Sequence, residues 1–240
     1  MEKAEAGQFL VLSFLLQESQ TTLKALMEET GFSKATVTKY ILFTNERAQT
    51  VGLDVQIHLQ EEQVNLSVGA TTKGRDIRRL FLNNAVKYQI LLYLLYHQQF
   101  QAHQLVQELM VSEATLGRHL SGLNQILSEF DLSIQNGRWR GPEHQIRYFY
   151  FCLLRKVWSS KDWGNEMQKP ERRREIASLE EICGAQLSSG QKLDLVLWNH
   201  ISQQRLRVNA CQFQIIEDKM RGYFDNIFYL RLLRKIPSFF

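Results

Sequence analysis

Thr22-Leu-Lys-Ala-Leu-Met-Glu-Glu-Thr-Gly31-Phe-Ser33-Lys-Ala-Thr-Val-Thr-Lys-Tyr-Ile41 is the stretch from which the fold follows. Thr22 is a capping residue for a short helix over Leu23–Glu29, Gly31 ends that helix, and Ser33 caps a longer one running to about Ala48. Ser and Thr suit these places because their oxygens accept from the unpaired amides of a first turn, and Gly suits a left-handed stop. Two helices joined by so tight a turn form a helix-turn-helix. Upstream, Glu5–Gln17 spaces Phe9, Leu12, Leu15 and Leu16 as one face of an amphipathic helix. Downstream, Val55-Gln-Ile57-His-Leu59 and Val64-Asn-Leu66-Ser-Val68 alternate apolar and polar residues around Gln60–Gln63, which predicts a half-buried hairpin. A helix-turn-helix followed by a hairpin reads as a winged helix-turn-helix.

The same order recurs. Asn84–His97 carries Val86, Ile90, Leu91, Leu94 and Leu95 on an apolar side, Ala102–Met110 is a short helix, and Ser112 caps a helix to about Phe130. Leu132–Gln135 and Arg138–Arg140 then pair across Asn136-Gly137, a dipeptide that favours a two-residue hairpin turn. At a shift of 79 residues, Leu26/Leu105, Glu29/Glu108, Ser33/Ser112, Ala35/Ala114, Thr36/Thr115, Asn45/Asn124 and Leu53/Leu132 are identical in type. Val37/Leu116, Lys39/Arg118 and Ile41/Leu120 are close substitutes, and the second wing is about ten residues shorter. Tandem duplication accounts for this pattern.

From Pro142 onward the strand signal stops. Helices are expected at Glu143–Ser159, Glu171–Cys183, Ser189–Val208 and Gln212–Ile236, the last broken near Gly222, with Trp163-Gly164-Asn165 as a loop. The fold class is therefore mainly α: a first winged helix-turn-helix over residues 1–70, a second over 71–141, and a helical-bundle domain over 142–240.

Composition agrees with a folded chain. Of 240 residues 44% are hydrophobic and 11% aromatic, and 29 Lys and Arg stand against 25 Asp and Glu, a balance that excludes intrinsic disorder. A net charge of +4 permits a polyanionic partner without requiring one. Cys152, Cys183 and Cys211 form neither a CxxC pair nor an even set, so a disulfide framework and a zinc site are both unsupported. The apolar run near the N-terminus is too short and too acid-flanked for a signal or a membrane span, which points to a cytoplasmic protein with no membrane partner.

Asn84-Asn-Ala-Val-Lys-Tyr, Ser112-Glu-Ala-Thr-Leu-Gly-Arg-His-Leu and Gly137-Arg-Trp-Arg-Gly141-Pro-Glu143-His-Gln-Ile146-Arg147 resemble the Mga family, the M-protein trans-acting positive regulators of Gram-positive bacteria. The resemblance rests on a wing that runs into a Gly-x-Glu-x-x-Ile-Arg element, here Gly141 to Arg147. It implies DNA-binding virulence regulation, dimers, and a phosphotransferase-system regulation domain (PRD) controlled by phosphorylation on histidine. Family members usually carry a second regulatory domain and a C-terminal domain like a sugar-transport IIB component, so this chain is expected to be a truncated form or a short relative.

Helix geometry selects the residues that could read DNA. In the first helix-turn-helix Val37 and Ile41 face the core with Tyr40 beside them, which leaves Ser33, Lys34, Thr36, Thr38 and Lys39 outward. Lys donates to guanine, while Ser and Thr serve base or phosphate. In the second, Leu116 and Leu120 are inward, and Ser112, Glu113, Thr115, Arg118 and His119 are outward. Glu113 either accepts from cytosine or repels phosphate. The first wing is tipped by Glu61 and Glu62, whereas Arg138 and Arg140 flank Trp139 in the second, so the second wing is the better phosphate or minor-groove contact. Against these readings stand a solvated helix face and a plain surface hairpin. Arg172-Arg173-Arg174 precedes Glu175, Glu180 and Glu181 and reads as a solvated helix face with i, i+4 pairs. Arg231, Arg234 and Lys235 suit a helix C-terminus.

His200 is the histidine that the resemblance singles out for phosphorylation, with Arg205 or Arg207 near enough in sequence to meet the added charge. The alternative is an unmodified histidine at a helix surface or boundary. No glycine-rich phosphate loop, HExxH or GxSxG occurs, and the remaining histidines form no metal-ligand set, so no catalysis, cofactor or metal is expected. The function read from the sequence is a regulator that binds double-stranded promoter DNA as a homodimer, with a phosphotransferase-system phosphocarrier protein as a further partner. Two alternatives remain open: a plasmid-type replication initiator with tandem winged helices, and a protein-interaction module that has lost DNA binding.

Overall fold

A computed structural model describes residues 3–83 and 85–208. The helix expected over Gln212–Ile236, with Arg231, Arg234, Lys235 and Cys211, lies outside the described residues. The fold is mainly α, with small antiparallel sheets. The chain divides into two compact units, Met1–Tyr88 and Gln89–Phe240.

The first unit holds α1 (Lys3–Gln17), β1 (Gln20–Thr22), α2 (Leu23–Thr30), α3 (Lys34–Thr50), β2 (Val55–Gln60), β3 (Gln63–Val68) and α4 (Gly74–Leu82). The caps read from the sequence are in place. Thr22 Oγ1 accepts from Ala25 N at 3.1 Å, Gly31 is left-handed at φ 70°, and Ser33 Oγ accepts from Thr36 N at 3.3 Å. The core gathers Val11, Leu12 and Leu15 from α1, Leu23 and Leu26 from α2, Val37 and Ile41 from α3, Ile57 and Val64 from the hairpin, and Ile77 and Phe81 from α4. On α1 the buried stripe is Gln8, Val11, Leu12 and Leu15, so Leu16, expected on that face, points to solvent. One residue beyond Leu15 is a turn of about 100° away from the stripe.

The sheet order is β1-β3-β2, with Gln60 paired to Gln63, so the loop is only Glu61-Glu62. Strand β1 has no signal of its own: Gln-Thr-Thr is polar, and it is extended because β3 offers it a ladder from Gln20↔Asn65 to Thr22↔Gln63.

The division between units falls within α5 (Val86–Tyr96). The second unit continues with α6 (Ala102–Leu109), α7 (Glu113–Leu127), β4 (Ser133–Gln135), β5 (Arg138–Arg140), α8 (Glu143–Val157), α9 (Ser160–Met167), α10 (Pro170–Cys183) and α11 (Ser189–Val208). The helix begun at Ser112 stops at Leu127 and tightens into a 3-10 turn, Ser128–Phe130, before Asp131 turns left-handed. Trp163-Gly164-Asn165, expected as a loop, lies inside α9. A capping box between Ser159 and Asp162 starts that helix, and Trp163 is buried edge-on against Trp158, which outweighs the glycine.

The residues that match at a shift of 79 hold matching places. Leu26 and Leu105 are both buried, and Ser33 and Ser112 both cap. Leu53 N–H closes the end of α3 on Ala48 O at 2.9 Å, as Leu132 N–H closes α7 on Leu127 O at 3.0 Å. Where the first turn has Gly31, the second has Met110, left-handed at φ 51° and 92% exposed.

At the second hairpin Asn136 and Gly137 have φ of 50° and 70°, the pair of positive values that a type I′ turn demands. Gly137 O also accepts from Phe100 N at 3.0 Å, and a Cβ on Gly137 would stand 2.1 Å from Phe100 O. Gly137→Ala is therefore expected to lower stability by about 2 kcal/mol or more, since it combines positive-φ strain with a backbone clash. Urea unfolding of the two proteins checks this.

Candidate nucleic-acid interface

In the first unit the outward residues of α3 are already engaged with one another and with the hairpin. Ser33 and Thr36 share a hydroxyl hydrogen bond of 2.9 Å at the cap, and Thr38 is half-buried. Lys34 Nζ lies 2.7 Å from Glu62 Oε1 at the hairpin tip, both groups being exposed. Lys39 is exposed with its ammonium 5.4 Å from the Phe43 ring centroid. An anion approaching α3 would meet one ammonium paired to a carboxylate and a hairpin tip carrying Glu61 and Glu62.

In the second unit α7 is built the same way at its start, with Ser112 Oγ donating to Thr115 Oγ1 at 2.9 Å. Arg118 is exposed one turn on and donates from Nη2 to Thr115 Oγ1 at 3.1 Å. Glu113 is exposed in the first turn and His119 is half-buried. On β5, Arg138 and Arg140 are two residues apart and so share a face of the strand, both exposed, while Trp139 turns inward. The Trp139 indole N–H donates to Tyr150 OH at 3.2 Å, and Tyr150 OH donates to Leu91 O at 2.6 Å. Burial pushes the Tyr150 hydroxyl well above its ordinary pKa, so it stays a donor. The Arg138 guanidinium also donates to Gln99. Arg118 on the helix and Arg138 and Arg140 on the hairpin are thus exposed cations of one unit; Ser112 and Thr115 serve chiefly as the helix cap.

The hairpin runs directly into a buried ion pair. Glu143 opens α8 and accepts from Arg205 of α11 through two bonds, Nε to Oε1 at 3.0 Å and Nη2 to Oε2 at 2.9 Å, and from Arg147 at 3.2 Å. Arg205, 1% exposed, spends Nη1 on Leu94 O at 3.1 Å. Burial alone would raise the Glu143 pKa; the hydrogen bonds and charges of Arg205 and Arg147 outweigh it and hold the carboxyl below its ordinary value.

Residues 70–154 match the Mga helix-turn-helix domain. The Mga-matching segment contains the second helix-turn-helix, its hairpin and the whole Gly141 to Arg147 element, so that element is explained here as the seat of the Glu143 carboxylate and the buried Ile146. None of the curated proteins compared with the chain matches it.

His200 is buried, not at a helix surface. Its Nδ1 lies 3.1 Å from Glu166 Oε1 and its Nε2 3.4 Å from Tyr96 OH, and Trp158 packs against its ring at 4.8 Å between centroids. Arg172 is likewise not on a solvated face. It is 2% exposed and bonds Glu175 at 3.2 and 3.0 Å, Glu166 at 3.4 Å and Gln203 at 2.8 Å. Helical periodicity carries no mark that separates Arg172 from Arg173 and Arg174, which are exposed. Sequence reasoning also passed over Asn45 and Asn124 except as matching letters; the partners that give them meaning lie on strands ten or more residues away. Among the described residues no group of three His, Cys, Asp or Glu could hold a metal ion, and no helix is long and apolar enough to cross a membrane.

Burial would raise the Glu166 pKa, but His200, Lys169 and their charges hold it at about 2, down from 4.5. Glu143 and Glu166 both have depressed folded-state values, so their stabilisation is complete above the unfolded value and is lost as pH falls through the folded one. The urea midpoint is expected to fall between about pH 4.5 and 2 and to fall less steeply in Glu166→Gln, followed by tryptophan fluorescence. Arg205→Ala removes two hydrogen bonds from the buried Glu143 carboxylate and is expected to cost about 3–5 kcal/mol in the same assay.

Proposed function

We propose that the chain is a sequence-specific DNA-binding transcription regulator of the Mga type, and that the second winged helix-turn-helix is its principal reading head. The observation that carries this is the pairing of an exposed Arg118 on α7 with Arg138 and Arg140 on one face of its hairpin, inside a segment that matches the Mga helix-turn-helix domain. The start of α7 enters the major groove and Arg118 meets a base edge or phosphate, while the wing arginines take the flanking backbone. The first unit lengthens the footprint with Lys39 and, once Glu62 releases it, Lys34. The partner is double-stranded promoter DNA, the protein is cytoplasmic, and it works by binding without catalysis.

Homodimerisation, a regulatory domain of the phosphotransferase-system type and exchange with a phosphocarrier protein complete the reading. Phosphorylation of His200 would require the ring to leave Glu166 or Tyr96, because both ring nitrogens face those partners. Control at this histidine would therefore come with loss of its bond to α9 or to α5, according to the nitrogen modified. A second reading, favoured for the first unit by the Lys34–Glu62 pair and the acidic hairpin tip, is a protein-interaction module.

Selection of fragments from sheared bacterial genomic DNA, followed by fluorescence anisotropy across a salt series, tests the proposal. Promoter-proximal fragments are expected, with affinity falling steeply with salt. Substituting Arg118, Arg138 and Arg140 by Ala together should reduce the log–log salt slope by about 2–3, each phosphate contact contributing about 0.9. Lys34→Ala should change affinity by less than about threefold, in keeping with an exposed ion pair. No enrichment would sink the regulator reading, and enrichment of directly repeated origin DNA would favour a replication initiator.

A further inference from the structure

The two helix-turn-helix segments share one device that their helix caps do not explain. Asn45 on α3 donates from Nδ2 to Ile57 O at 2.8 Å and accepts at Oδ1 from Ile57 N at 2.8 Å. Asn124 on α7 donates to Ile134 O at 3.0 Å and accepts from Ile134 N at 2.7 Å. A carboxamide presents one donor and one acceptor in a plane, as a peptide unit does, so each Asn stands where a neighbouring strand would. Ile134 lies opposite Trp139, and its N–H and C=O turn away from β5, as in the non-hydrogen-bonded pairs of an antiparallel ladder. Without Asn124 those two groups would be left at an open strand edge.

We infer that Asn124 is a positioning residue for DNA recognition: it fixes the second wing to the reading helix so that Arg138 and Arg140 reach the backbone while α7 occupies the groove. The inference rests on the reading of the second unit as a DNA-binding head. Its basis is placement. Asn124 clasps the middle residue of a three-residue strand, and the residues on either side, Ser133 and Gln135, face Arg140 and Arg138 in the register. The other ties of this hairpin lead elsewhere: Trp139 to Tyr150 on α8, Gly137 to Phe100, and Arg138 to Gln99, the last two ahead of α6. Asn124 carries two hydrogen bonds from α7 to β4, so the angle between helix and wing depends on it. Asn45 makes the same clasp in the first unit, where the hairpin tip is acidic, so its loss should cost no phosphate contact.

The experiment measures the salt dependence of duplex DNA binding for the full chain, which reports the number of phosphates engaged and is insensitive to a fraction of unfolded protein. Arg138→Ala with Arg140→Ala should reduce the log–log slope by about 2. Asn124→Ala should reduce it by a similar amount, the triple variant no further, and Asn45→Ala not at all. Arg118→Ala should still weaken binding in the Asn124→Ala background, which shows that α7 remains seated. Should Asn124→Ala fail to fold, Asn124→Ser, with a hydroxyl too short to reach both groups of Ile134, replaces it. An unchanged slope in the Asn124 variant, or a slope in the triple variant lower than in the arginine pair, overturns the positioning role while leaving DNA binding intact. A wild-type chain with no salt-dependent affinity overturns the DNA reading itself and the inference with it.

Discussion

The ion pair between Glu143 and Arg205 is the constraint on which the second unit depends. Two charges removed from water cost several kcal/mol each unless every lone pair and proton is met. Here they are met: both carboxylate oxygens accept from Arg205, Arg147 adds a third bond, and the remaining guanidinium nitrogen is taken by Leu94 O. Because that carbonyl belongs to α5, the carboxylate opens α8 and the guanidinium sits on α11, one cluster fixes three helices that hydrophobic contact alone would leave free to slide. Apolar residues of similar size could fill the same space without loss of stability. The Arg172, Glu175, Asn199 and Gln203 cluster does the same for α10 and α11.

Comparison of the two helix-turn-helix segments separates what builds the shape from what works on it. Five of the seven letters that coincide at a shift of 79 serve the caps, a buried leucine, the closing of the long helix and the clasp on the hairpin. Among the exposed differences are Lys34 against Glu113, and a hairpin tipped by Glu61-Glu62 against one carrying Arg138 and Arg140. The two segments thus share these hydrogen bonds and differ in the charge they expose.

Caps, turn glycines and alternating strands made the helix-turn-helix and both hairpins legible from sequence, because each is a local event decided within about four residues. What escaped was non-local. Strand β1 is extended only because β3 lies beside it; α9 looked like a loop because Gly164 was visible and the packing of Trp163 on Trp158 was not. Arg172 reads as solvated, and the burial of His200 is equally hidden, since a helical repeat of charges has the same appearance whether its partners are water or buried carboxylates. The arginines of the second wing were found for a local reason, their alternation about Trp139, whereas the residue that holds their strand was not, its partner being on another element.

The two hairpins also differ in how firmly they are held. In the first, six-residue strands are backed by β1 through three paired residues; in the second, three-residue strands have, in place of a third strand, the single bond from Phe100 to Gly137. The first hairpin is therefore held by the longer ladder, while the second relies more on ties from outside its strands: the Phe100 bond, the Asn124 clasp and the side-chain bonds of Trp139 and Arg138. The amides of the second hairpin are therefore expected to exchange with solvent faster than those of the first.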